Sequence, residues 1–315
     1  GGKIEIDFHG AFVTENKPGV LLRHAYGQIG NDDFRILAGQ TWDVMSPLYP
    51  GTLNYSVGWG GGNIGYRRMQ VRYERFLRWS RTLMFTVAGS VNQNIVSDFA
   101  STAGVDPEAS GWPVLQSRIG MTLGRRGRGA TPITMGVSGH FGEQGFDFTA
   151  VGPAPLNLPP VDDAREKTWS INGDIRVPIT SNFGVQGEFF TGRNLGTFLG
   201  GAVQGVDLTR RQGIHSTGGW FDVWLDWTDD LHSHAGFGVD DPHNTDVSNG
   251  RTYNHFIFSN VVLDVTSKMS FGVEVSSWKT LYSNQLPGES VVVEVAGQQE
   301  LSLQRPDAGS IVAFS

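Results

Sequence analysis

The chain has 315 residues, 24 Lys and Arg against 31 Asp and Glu, a formal net charge of −7, and no cysteine. A nucleic-acid surface is ordinarily basic, so this balance argues against nucleic acid as a partner. No run approaches eighteen apolar residues, which excludes a transmembrane helix but not a membrane β-barrel, whose strands alternate apolar and polar side chains. The 43 glycines, 9 Trp and 19 Phe suit tightly turned, aromatic-rich β-structure better than helices.

In chain order, strict alternation recurs from the start, which marks strands with two different faces. The sequence opens directly in a strand pattern with no signal-peptide signature, as a cytosolic or a processed chain would. "KIEIDFHGAF" sets Ile4, Ile6 and Phe8 against Glu5, Asp7 and His9. "RRMQVRYERFLR" carries five arginines in twelve residues, yet it sorts cleanly: Met69, Val71 and Tyr73 on one face, Arg68, Gln70, Arg72 and Glu74 on the other. "TLMFTVAGSVNQN" sets Leu83, Phe85, Val87 and Val91 against Met84, Thr86, Ser90, Asn92 and Asn94. "VLQSRIGMTL" sets Leu115, Ile119, Met121 and Leu123 against Gln116, Arg118 and Thr122. The same division separates Val137 and Phe141 from Ser138 and His140, Ile171 and Ile175 from Asn172, Asp174 and Arg176, Phe221 and Val223 from Asp222 and Trp224, and Val273 and Val275 from Glu274. About fourteen such segments run through the chain, and no helix pattern competes with them. Phe141, Trp169 and Trp227 end apolar faces, as interfacial aromatic girdles do.

The connections alternate in length. Short ones fall at Asn31–Asp33, Trp79–Thr82, Arg125–Ala130, Thr180–Asn182, Thr228–Asp230 and Thr266–Lys268. Long ones fall at Ser46–Gly65, Ser97–Pro113, Gly142–Lys167, Leu195–Gly213, Asp240–Thr252 and Ser283–Gly309, while "TENKPG" is short among the long set. Short turns at one end and long loops at the other describe an outer-membrane barrel, with the polar faces lining a water-filled lumen. A soluble all-β sandwich or propeller with the apolar faces as its core is the alternative that periodicity leaves open.

The stretch Leu21 to Glu74 is more specific. "LRHAYGQIG" (Leu22–Gly30), "LAGQTWDVMSP" (Leu37–Pro47), "TLNY" (Thr52–Tyr55) and "RRMQVRY" (Arg67–Tyr73) resemble the DcaP-like porins, and "FSNVVLDVTSKMSFGVEVSSWKTLY" (Phe258–Tyr282) resembles the penultimate hairpin of that group. The resemblance implies a sixteen-stranded, up-and-down transmembrane β-barrel, a loop after "GQTW" that folds into the lumen, a homotrimer, and uptake of small, often anionic solutes such as dicarboxylates. If that strand number holds, two strands precede Gly1 and the last strand continues past Ser315.

The candidate site is the constriction of the pore. The loop Ser46–Gly65 carries Tyr49, Asn54, Tyr55 and Trp59 and no charged residue. Its "GWGGGNIG" has neither the spacing nor the following helix of a phosphate-binding fingerprint, whereas irregular backbone packed against a barrel wall needs glycines. Arg68 and Arg72 lie about 13 Å apart along one face of a strand, and Arg118 points the same way from a strand two places on. A row of cations facing Glu74, Asp174, Glu188, Asp222 and Glu274 would attract anions. Each arginine could equally pair with a carboxylate and brace the wall. Arg23 and Arg35 can be phased to either face. His232 and His234 form a His-x-His pair with Asp240, Asp241 and His243 beyond, but no third ligand is placed by sequence, so no metal or other cofactor is assigned. "RRGRG" (Arg125–Gly129) lacks the stacking aromatics of a nucleic-acid site and reads as a solvated turn. No nucleophile-elbow or zincin signature occurs, and no catalytic residues are expected.

The expectation is therefore a single barrel domain over residues 1–315, an outer-membrane porin passing small polar or anionic solutes by passive diffusion, in contact with outer-membrane lipid, and not an enzyme. Two other readings stay open: a structural or adhesive surface barrel whose long loops bind a partner and, third, a barrel enzyme.

Overall fold

Side-chain alternation becomes one antiparallel sheet in the computed structural model of the protein. It describes residues 1–7, 12–14, 17–96, 104–108, 111–127, 130–153, 156–283, 290–295, 298–303 and 310–314; for 12–14, 17–18 and everything beyond 283 only the backbone is described. Phe8 and His9 lie outside the described residues, as does most of the loop expected after Ser97. The sheet strands are β1 (Gly2–Asp7), β2 (Leu21–Gly30), β3 (Phe34–Trp42), β4 (Arg67–Arg78), β5 (Leu83–Asn92), β6 (Val114–Leu123), β7 (Ile133–Phe148), β8 (Val161–Pro178), β9 (Phe183–Arg193), β10 (His215–Asp226), β11 (Leu231–Pro242), β12 (Arg251–Thr266), β13 (Met269–Tyr282) and β14 (Ser310–Phe314). Each pairs with the next in up-and-down order, and Asp106–Glu108 joins alongside β7. This is the all-β, antiparallel barrel architecture that the periodicity predicts.

The strands carry an apolar outer face. Met69, Val71 and Tyr73 of β4, Val87 and Val91 of β5, Ile119 of β6, Val137 and Phe141 of β7, Ile171 of β8, Phe221 of β10 and Val273 of β13 are all exposed. In water such a continuous apolar belt would be an aggregation surface; in a bilayer it is the lipid-facing band. Trp79 and Trp227, in two of the short turns, are exposed at the rim where amphipathic rings anchor. Replacing Val71, in mid-strand, with Arg is expected to cost about 2–4 kcal/mol of folding stability in vesicles. Urea titration of Val71→Arg beside wild type checks this, and equal midpoints would contradict a lipid-facing Val71.

The turns follow local chemistry. Asn31 Oδ1 accepts from the amides of Asp33 (2.8 Å) and Phe34 (3.1 Å), closing the β2–β3 turn. Thr228 Oγ1 does the same for Asp230 and Leu231. Arg78 donates to the Asp32 carbonyl (2.9 Å), and Arg126 of the "RRGRG" run donates to the Ser80 carbonyl (2.9 Å), so basic residues there tie neighbouring turns together.

Three features depart from the predicted outline. The loop expected over Gly142–Lys167 is mostly strand: the β7–β8 ladder runs on through Gly145 opposite Arg165 to Phe146 opposite Ala164. That extended hairpin is held by a cluster of Val105, Phe146 and Phe148 packed against Ala164, Val206 and Leu208. The two-way phasing of β2 has a physical cause. Glu5 pairs with His24 but Ile6 pairs with Leu22, so Arg23 is an extra residue, a β-bulge, and the face parity switches there. Finally, the loop after β9 turns inward, as described next.

Candidate functional site

The loop between β3 and β4 crosses the lumen and is fastened to the far wall. Its root is held by the Val44 amide donating to Gln116 Oε1 (2.7 Å) on β6 and by Tyr66 N donating to Asp43 Oδ2 (2.9 Å). Three carboxylates from successive parts of the opposite wall then accept loop amides. Leu48 N donates to Glu188 Oε1 of β9 (2.7 Å), Gly51 N to Asp222 Oδ2 of β10 (2.8 Å), and Leu53 N to Glu274 Oε2 of β13 (2.6 Å). Thr52 Oγ1 adds a second bond to Glu274 (2.7 Å), while Asn260 donates to the Gly51 carbonyl (2.7 Å) and Gln186 to that of Tyr49 (3.0 Å). The polar inner face thus satisfies a loop whose backbone would otherwise lie unpaired at membrane depth.

Glycine is required where the loop meets the wall most closely. Gly62 has φ +122°, and a Cβ there would lie 2.2 Å from the Gly219 carbonyl oxygen and 2.7 Å from the Val239 nitrogen, both backbone atoms. Gly62→Ala is expected to unseat this end of the loop at a cost of roughly 1–3 kcal/mol. Faster protease cleavage within residues 46–65 in an otherwise folded barrel is the readout; wild-type protection would contradict the close approach.

Aromatic residues build the near side. Trp42 lies against Tyr49 (ring centroids 5.1 Å apart) and Trp59 (6.2 Å), Trp59 meets Tyr66 edge-on (5.5 Å), and the Arg67 guanidinium sits 4.5 Å above the Trp42 ring. Burial, with Glu188 and Asp43 nearby, pushes the Tyr49 phenol well above its ordinary value, so it stays a neutral hydroxyl. Asn54 Oδ1 accepts from Ser56 N (2.9 Å) and shapes the loop's tip, where Tyr55 is exposed.

A second loop, between β9 and β10, also enters the lumen. Leu195 and Phe198, in and beside the short 3₁₀ turn Gly196–Phe198, cluster with Met45 and Ile64 of the first loop and with Val114 and Phe190 of the wall. The amides of Gly60 and Gly65 donate to the carbonyls of Leu199 and Phe198, joining the two loops directly. Between this layer and the extended β7–β8 hairpin lies a cavity of about 670 Å³, lined among others by Gln144, Phe148, Gln204, Asp207 and Arg211.

The inward residues of β4 sit on the predicted face, but in distinct environments. Arg68 is enclosed, its side chain 1% exposed like that of its partner Asp43 (2.8 Å), with its guanidinium 4.0 Å from the Phe198 ring and donating to the Thr197 carbonyl. Gln70 is buried and donates to the carbonyls of Thr41 and Trp42. Arg72 keeps 13% exposure, bonded to Gln70 and the Trp42 carbonyl and 3.5 Å from Glu74, which also takes Arg35. Arg118 holds Asp174 with two bonds (2.6 and 3.1 Å). His232 and His234 turn to different acids, Asp264 and Asp222, with rings 6.5 Å apart. A further cation was not singled out from sequence: Arg176 is exposed on the inner face, over the Trp224 ring (4.4 Å) and bonded to Gln186, with no carboxylate within ion-pairing distance among the described residues.

A lumen lined by polar side chains, narrowed by a wall-anchored loop and wrapped in an apolar belt has a counterpart among solved structures. The outer-membrane channel DcaP of Acinetobacter baumannii superposes with a TM-score of 0.66 at 15% identity, over 99% of this chain and 79% of that one. The fold is that of the DcaP barrel. OmpT, an outer-membrane protein of Vibrio cholerae, aligns over 98% of this chain and 81% of its own with a TM-score of 0.47 and 11% identity. No protein-family profile matches the sequence, and no curated protein matches it.

Proposed function

We propose that the protein is a porin of the bacterial outer membrane, a passive channel for small hydrophilic solutes with a weak preference for anions. The observation that carries the reading is the loop 43–66, anchored by Glu188, Asp222 and Glu274 across a polar lumen. A barrel built only as a scaffold has no need of a braced constriction, and the arrangement requires no chemistry at the site. The preference for anions follows from how the charges are spent. Glu188 and Asp222 are buried under the loop and Arg68 is sealed from solvent, which leaves Arg176, with the partly exposed Arg72 and Arg118, to bias the potential in the open lumen. The Leu21–Glu74 resemblance further supports a trimer and dicarboxylate-like solutes.

Planar-bilayer recording tests this. Purified protein is expected to give stepwise conductance and, in a salt gradient, a reversal potential on the anion side. Arg176→Ala is expected to move that potential toward cations while leaving the unfolding midpoint unchanged. A potential that stays in place would remove Arg176 from the account, and the absence of steps would remove the porin reading.

A further inference from the structure

We propose that the long-loop rim carries a binding site for a divalent transition metal of the Zn²⁺ class, formed by His215, His243 and Asp246. These residues come from three places: the first position of β10, the residue following β11, and the 3₁₀ turn Asn244–Asp246. One ligand atom from each lies within 4.8 Å of the other two, with no ion present. His215 Nδ1 is 2.9 Å from Asp246 Oδ2. Metal–nitrogen and metal–oxygen bonds of about 2.0–2.2 Å in a tetrahedral site place neighbouring ligand atoms roughly 3.3 Å apart. The pair is therefore already close to the spacing a metal would impose, and the ion would take the place of the hydrogen bond between them. The His243 ring stacks on that of His215 with centroids 5.6 Å apart, so a small side-chain rotation brings its nitrogen to the third position.

The backbone holds this arrangement in advance. His243 N donates to the His215 carbonyl (2.9 Å), Asp246 N to the His243 carbonyl (2.9 Å), and His215 N back to Asp246 Oδ2 (3.1 Å). Two imidazoles and one carboxylate are borderline donors that favour Zn²⁺, Co²⁺, Ni²⁺ or Cu²⁺ over Ca²⁺ or Mg²⁺. His243 is exposed, leaving the fourth position to water. Occupancy would staple the segment 243–250 to the start of β10. That segment already engages the inward loop, since Arg210 donates to Ser248 Oγ (3.0 Å) and Ser248 N donates to Asp207 Oδ2 (2.5 Å).

The test uses tag-free, full-length protein in detergent titrated with Co²⁺, read by calorimetry and by the visible absorption of tetrahedral cobalt. One Co²⁺ per chain is expected, displaced by Zn²⁺. His243→Ala and Asp246→Asn should each weaken it roughly tenfold or more, since even loss of an outer-sphere partner costs that much. The double variant His232→Ala with His234→Ala should bind as wild type. His243 is solvent-exposed, so its variant is expected to fold, as circular dichroism verifies. Equal affinity in wild type and His243→Ala, or a loss confined to the His232/His234 variant, would overturn the assignment.

Discussion

Removing the three carboxylates that fasten the constriction, in the combined variant Glu188→Ala, Asp222→Ala and Glu274→Ala, is expected to raise single-channel conductance roughly twofold or more, because the narrowest cross-section governs passage. Each acid accepts a loop amide at 2.6–2.8 Å, and hydrogen bonds to charged groups contribute about 1.5–3 kcal/mol apiece. Among the described residues, losing all three leaves residues 48–53 bonded to the far wall through Asn260 and Gln186 alone. The near end stays rooted by Asp43, Gln116 and the Trp42–Tyr49–Trp59 stack, so the barrel is expected to fold while the loop swings clear of the far wall. The substitutions also remove acidic groups from the inner wall, so reversal potential should move further toward anions. Unchanged conductance in a folded variant would mean that the loop does not limit flow.

The second large effect concerns stability. Arg68→Ala is expected to destabilise the protein by about 3–5 kcal/mol, since it strands the Asp43 carboxylate in a site where both side chains are 1% exposed. It also removes the cation stacked at 4.0 Å on Phe198 and the bond to the Thr197 carbonyl, so the two inward loops lose a shared anchor. Adding Asp43→Asn should recover part of the loss, because a neutral amide tolerates the site better than an unpaired charge. Urea unfolding in lipid vesicles measures both. An Arg68→Ala protein as stable as wild type, but with altered ion selectivity, would instead place Arg68 in the open lumen.

The contrast between Arg68 and Arg176 shows what the sequence carries and what it leaves out. Period two decided which face each side chain occupies: Met69, Val71 and Tyr73 are outside and Arg68, Gln70, Arg72 and Glu74 inside, as the alternation predicts. The parity of loop length likewise located the short turns, while the resemblance over Leu21–Glu74 pointed to the loop that folds inward. Alternation says nothing about what later covers an inward face, however. Arg68 is enclosed because Phe198, 130 residues further on, folds back over it, and Arg176 is left open because its neighbours are Trp224 and Gln186 rather than an acid. One signal was available. The loop after β9 contains Leu195, Phe198 and Leu199 in a stretch otherwise rich in glycine and polar residues, and apolar residues in a loop need somewhere dry to go. The inner acids were visible as a set, but their engagement with loop amides depends on long-range geometry that spacing does not encode. Arg23 was ambiguous for a different reason, since a one-residue bulge reverses parity without any change in composition.

The chain has no cysteine, so a single introduced thiol reports on one position alone. Arg176→Cys on the inner face and Val71→Cys on the apolar face form the decisive pair, recorded in planar bilayers before and after a membrane-impermeant, negatively charged thiosulfonate reagent. A conducting lumen lined by the inner face predicts stepwise currents from both proteins, with the Arg176→Cys channel changing conductance and shifting toward cation preference on modification while Val71→Cys does not respond. No stepwise current, or a response at Val71→Cys and none at Arg176→Cys, would contradict it.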